Sequence, residues 1–190
     1  MKRFTSSIRK SVSDQNFFGA LFLSLAMPDI CGALEDPAKG VGDRYKKWFR
    51  KYLNAKYDPK SNMEYSLANA PQLSAVLANG ITNEIRDSLN APFPKELRFT
   101  ATDCYMFRCK CLHQGMLQRA NEEQFIFISS LPTGTRIHRN LHHGKLVLQI
   151  ECFAEDICLA VEEWELSVKS NIIIQARIDQ LIAIDKWHDL

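Results

Sequence analysis

Five large side chains, Tyr45, Trp48, Phe49, Tyr52 and Leu53, recur at i, i+3, i+4, i+7 and i+8 between Arg44 and Leu53. That spacing puts all five on one face of an α-helix and on no single face of a strand. Lys46, Lys47, Arg50 and Lys51 fall on the opposite face. Other stretches read the same way: Phe17–Met27, Pro71–Leu89 with a weak point at Gly80, Thr102–His113, Ala154–Val168 and Asn171–Trp187. Only Gln124–Ser129 and Leu146–Cys152 carry strand-like patterns, with a turn-rich stretch between them. Strands and helices do not alternate along the chain, which argues against a doubly wound parallel sheet. The expected fold is mainly α: a helical bundle with an inserted β-hairpin near 124–152. Its 190 residues suit one domain, and a 46% hydrophobic fraction is enough for a full core.

Local signals sharpen the boundaries. Ser13 or Asp14 is placed to cap the Phe17–Met27 helix, with Pro28 ending or kinking it. Thr102 is placed to cap a helix that runs through His113, Asp103 favours its first turn, and Gly115 stands where a left-handed C-cap residue belongs. The basic start and the apolar run FFGALFLSLAM resemble a signal peptide. However, Asp14 and Gln15 interrupt the approach, and eleven residues are too few to span a bilayer. A buried helix, a cytoplasmic chain and no membrane partner are therefore expected. The six cysteines lack C-x-x-C spacing, and a chain of this length needs no staples, so reduced thiols are expected. Cys109-x-Cys111-x-His113 points its side chains to different sides of a helix, so no metal is expected.

Phosphate-binding glycine loops, H-E-x-x-H and G-x-S-x-G are absent from the sequence. The stretch with most chemical content is Asp103–Gly115. Cys104, Phe107, Arg108, Cys111 and Leu112 share a face, so Arg108 projects from an apolar stripe. A guanidinium there requires a partner such as Asp29 or Glu35, a ligand, or water. His113 lies five positions on, about 140° round the helix and about 7.5 Å along it. Arginine grips phosphate oxygens with two parallel N–H groups, and histidine moves protons near neutral pH.

Arg108-x4-His113, on a helix of a small helical protein, resembles the Arg-x4–6-His signature of HEPN-fold ribonucleases. The resemblance implies a homodimeric helical bundle that cuts RNA without a metal or other cofactor, in toxin or phage-defence biology, with an antitoxin or defence partner. Arg108 would bind the scissile phosphate and His113 would act as general acid or base. Tyr105 is the local candidate for a third polar group. Cys109 stands where many such motifs carry Asn, Asp or His. The alternative is a non-catalytic relative that binds RNA or a nucleotide, or assembles with a partner. The strings PDICGALE at Pro28–Glu35, R-Y-x-x-W-F at Arg44–Phe49 and D-C-Y-x-x-R-x-x-x-L-H-x-G at Asp103–Gly115 also resemble a family of uncharacterised bacterial proteins.

Further basic groups extend the RNA-binding expectation. Lys46, Lys47, Arg50 and Lys51 line one helix face among aromatics, although aromatics at this spacing usually face the core. Arg136 and Arg139 fall in a basic loop with His138 and His142. The loop reads as mobile and able to touch phosphate; the two histidines would suit a metal only if the loop were helical. Glu151–Glu165 holds six acidic residues and no Lys or Arg. It reads as a solvated helix face, or as a surface for a basic partner.

Overall fold

The computed structural model describes residues 1–114, 124–130 and 134–182, with the side chains of residues 113 and 114 outside that description. The described residues are mainly helical, with one small sheet. Helix α1 (Lys2–Ser13) and helix α2 (Phe17–Glu35) are joined by a tight turn, and Asn16 caps α2 by accepting the Gly19 N–H at 3.0 Å. Asp14 closes α1 and does not open α2. The helix does not end at Pro28; it runs on to Glu35 with that proline buried inside it. A proline removes one backbone donor, and burial of α2 on both sides of it offsets that loss.

Helix α2 is the central post. Ala20, Leu21, Leu25, Met27 and Cys31 are buried along it, and α1, α3 (Val41–Tyr52), α8 (Ala101–Gln114) and α9 (Ile150–Ser167) all pack on it. At 19 residues and a mean hydropathy of 1.7, α2 is long and apolar enough to cross a membrane by length and composition; half of that stretch is buried within the protein. Tyr45, Trp48 and Phe49 face the core on α3, as their spacing requires.

Short helices α4 (Asn54–Tyr57), α5 (Asn62–Asn69), α6 (Leu73–Ala78) and α7 (Asn83–Asn90) follow. The break near Gly80 is real: α6 ends at Ala78 and α7 begins at Asn83. Helices α5 to α7 contain no buried residue. Thr100, not Thr102, caps α8. Its Oγ1 accepts the Asp103 N–H at 3.1 Å, and Asp103 Oδ2 accepts the Thr100 N–H at 2.8 Å, a reciprocal capping box. The Gly115 cap and residues 183–187 of the last expected helix lie outside the described residues; its described part is α10 (Ile172–Asp179).

The expected hairpin between Gln124–Ser129 and Leu146–Cys152 is not what forms. Strand β1 (Phe125–Ile128) pairs parallel with β3 (Lys145–Gln149), Phe125 opposite Leu146. The antiparallel partner of β3 is a short strand, β2 (Asn140–His142), inside the stretch read as a loop. His143 and Gly144, at φ 48° and 74°, make the two-residue turn that joins β2 to β3. Strand β3 ends at Gln149 and continues directly as α9, so Cys152 is helical. The apolar alternation of β3 is thus shorter than it reads. Phe125 and Phe127 leave β1 to join Phe99, Phe107 and Phe153 in an aromatic cluster, edge-to-face except for the stacked Phe107–Phe127 pair.

Candidate functional site

Arg108 emerges from the apolar stripe of α8, between buried Phe107 and Cys111. Its Nη2 donates to Asp29 Oδ2 at 3.0 Å, and Nε of Arg44 donates to Oδ1 of the same carboxylate at 2.9 Å. One carboxylate from α2 therefore holds two guanidiniums, one from α3 and one from α8. Their side chains retain 14–18% exposure, so the cluster sits at the edge of the core. Arg44 also donates from Nη1 to the Lys39 carbonyl at 3.4 Å. The three charges sum to +1, an excess that favours an incoming anion.

Two glycines set this geometry. A Cβ on Gly32 would lie 2.9 Å from the Arg44 carbonyl oxygen, so only a bare Cα lets α3 approach α2 this closely. A Cβ on Gly42 would lie 3.1 Å from the Tyr105 ring. Tyr105 packs against Tyr45 with centroids 5.4 Å apart, and the Lys46 ammonium lies 5.8 Å from the Tyr105 centroid. The Tyr105 hydroxyl is raised above the usual phenol range, chiefly by its hydrogen bond with Cys109 and then by burial. It stays a protonated donor at neutral pH. Tyr45 donates to or accepts from the buried Cys104 thiol at 3.2 Å, and burial pushes that thiol up to about 12.

The structure thus brings together Arg108, Tyr105 and Lys46. Lys47, Arg50 and Lys51 are exposed on the outer face of the same α3, where Lys51 lies over Tyr52 and 3.9 Å from Glu35. Position 113 is helical, but the His113 side chain lies outside the described residues. Asp29, not Glu35, partners Arg108; Glu35 accepts the Trp164 indole N–H at 2.8 Å. Sequence reasoning did not find Arg44 as the second arginine. Its only signal was its place beside the helical aromatics.

Arg136 and Arg139 belong to a different neighbourhood. Arg136 is exposed. Arg139 is only 7% exposed, with φ at 63°, so the expectation that it lies on a mobile phosphate-touching loop does not hold. Its guanidinium carbon lies 4.5 Å from the Tyr65 ring centroid, 5.3 Å from Phe93 and 5.5 Å from Tyr57, and Nη2 donates to the Leu97 carbonyl at 3.0 Å. Aromatic faces take the place of water around this cation.

His138 is tied into the same region, not into a metal site with His142. Its Nδ1 accepts the Gln149 N–H at 3.0 Å, so the neutral ring carries its proton on Nε2, 3.2 Å from the Tyr57 hydroxyl. Tyr57 donates in turn to Asp156 at 2.8 Å, and Lys56 pairs with the other oxygen of that carboxylate at 2.6 Å. Burial draws His138 down to about 4. His142 instead packs on its neighbour His143, since the chain there is a hairpin and not a helix. Among the described residues no group of His, Cys, Asp and Glu is arranged to hold a metal ion.

The acidic stretch of α9 is largely engaged within the chain. Glu155 and Glu162 both pair with Arg9, Asp156 with Lys56, and Glu165 with the Met1 amino group. The six cysteines form no disulfide; Cys31, Cys104, Cys111 and Cys158 are buried, and Cys109 and Cys152 are half-buried. No family model, no curated protein and no solved structure matches this chain.

Proposed function

We propose that this chain acts on RNA as a HEPN-like, metal-independent endoribonuclease of the toxin or phage-defence kind, working in the cytoplasm as a homodimer and restrained by an antitoxin or defence partner. The observation that carries this reading is the convergence of Arg44 and Arg108 on Asp29 beside the basic face of α3. Two guanidiniums on one carboxylate leave an excess positive charge, which attracts an RNA phosphodiester whose oxygens accept guanidinium N–H groups. Lys46, Lys47, Arg50 and Lys51 draw the backbone of the RNA toward that point. In this reading Arg108 stabilises charge on the scissile phosphate, His113 moves the proton, and Tyr105 donates a hydrogen bond from its protonated hydroxyl.

The resting Arg108–Asp29 pair favours a second reading, in which the same surface binds RNA or a nucleotide without cutting it. One assay separates the two. Purified protein and its His113→Ala variant are incubated with single-stranded RNA in excess EDTA. The enzyme reading expects cleavage leaving a cyclic phosphate, and a loss of about 10²–10⁴ in rate for the variant. RNA binding without cleavage selects the second reading. Equal cleavage by both proteins removes His113 from the mechanism.

A further inference from the structure

Beside the arginine pair lies an open depression of about 510 Å³ between the end of α2, the start of α3 and α10. Its walls are mostly apolar, from Ile30, Ala33, Leu34 and Leu181, and its charged edge carries Arg44 and Arg177 together with Asp29, which pairs with Arg44. Both arginines are fixed from behind. Arg44 is held by Asp29 through Nε, and Arg177 donates from Nη1 to the Leu34 carbonyl at 2.7 Å, at the C-terminal end of α2. Nη2 of Arg44 and Nη2 of Arg177 make no hydrogen bond among the described residues. Two anchored cations at one edge of an apolar hollow match a ligand with a flat, weakly polar body and an anionic group. The volume lies within the usual range for small-ligand sites, roughly 300–1,000 Å³.

We propose that this depression seats one nucleoside monophosphate unit, its base on the Ile30–Ala33–Leu34 wall and its phosphate between Arg44 and Arg177. The inference deepens the RNA reading above and rests on it for the source of the nucleotide, either one residue of a bound RNA or a free nucleotide. Apolar contact with the base supplies affinity that a bare phosphate lacks, and Arg44 links the seat to the Asp29–Arg108 cluster.

Calorimetric titrations with adenosine 5′-monophosphate, inorganic phosphate and a single-stranded RNA oligonucleotide test it, on the full chain and on Ala33→Trp, which adds bulk to the apolar wall of the hollow. The monophosphate is expected to bind roughly ten-fold or more tightly than inorganic phosphate, and Ala33→Trp to remove that advantage. If Ala33→Trp does not fold, the wild-type comparison still decides, together with Leu181→Ala, which lowers the wall at the rim and should weaken the monophosphate alone. Competition between monophosphate and RNA supports the seat as part of RNA recognition. Monophosphate binding without RNA binding supports the seat and overturns the RNA reading. RNA binding with no preference for the monophosphate over phosphate overturns the seat and leaves the RNA reading intact. Binding of neither overturns both.

Discussion

Asp29 Oδ2 lies 3.0 Å from Arg108 Nη2, joining residues 79 positions apart in the chain, and the other oxygen of that carboxylate is already held by Arg44. The arrangement is asymmetric. Removing Asp29 takes an ion pair from both guanidiniums, whereas removing Arg108 leaves the carboxylate with Arg44. Asp29→Ala should therefore cost more stability than Arg108→Ala, about 2–4 kcal/mol against about 1–2, since a broken buried pair costs roughly 3–5 and this one retains some solvent. Urea melts of the two variants measure the difference. Asp29→Asn should also bind RNA more tightly than wild type, because it frees positive charge. Weaker binding by that variant would remove the cluster from the RNA surface.

Gly32 sets the spacing of α2 and α3. A methyl group there would lie 2.9 Å from backbone oxygen and 3.1 Å from backbone carbon of Arg44, neither of which can rotate away. Gly32→Ala should thus destabilise by about 1–3 kcal/mol, the usual cost of overpacking, despite the better helix propensity of alanine. The same shift moves Arg44 from Asp29, so RNA affinity measured on folded protein should fall as well.

His138 makes stability depend on pH in a defined window. Its ordinary value is 6.5, and in the fold it titrates near 4, mainly because it is buried. Between those values the unfolded chain binds more protons than the folded one, so stability rises with pH. The contribution is complete above about pH 6.5 and is lost as pH falls toward 4, at most about 3 kcal/mol over the window. Protonation at Nδ1 would also oppose the Gln149 N–H that points at it. Melts of wild type and His138→Asn at pH 7 and pH 5 should show the larger drop in the wild type. Equal drops would place the acid sensitivity elsewhere.

Arg9 contacts both Glu155 and Glu162, at 2.8 Å and 2.5 Å, yet all three side chains are 39–47% exposed. Pairs of this kind are screened by solvent and salt, so Arg9→Ala should cost about 0.5–1 kcal/mol, and less at high salt. A loss above about 2 kcal/mol would show that the α1–α9 contact depends on this charge rather than on the buried Ile8 and Cys158.

Local order was legible from periodicity. The aromatic face of α3 and the apolar stripe of α8 follow from 3.6 residues per turn, and a guanidinium on that stripe had to find a partner, Asp29 being one of two candidates. Periodicity reports which side of a segment is buried, not what meets it there. The close approach at Gly32, the second arginine on Asp29 and the engagement of the α9 acids by Arg9 and Lys56 all depend on how helices distant in sequence are packed. The parallel pairing of β1 with β3 was likewise invisible, because a strand pattern carries no direction and only the intervening chain sets it. Arg139 shows the limit most plainly. Its neighbours in the sequence are polar or basic, but Tyr57, Tyr65 and Phe93 arrive from other elements and enclose it. Sequence alone determined which faces are apolar; the tertiary structure decided which charges reach solvent, because burial of a charge is a property of what packs over it.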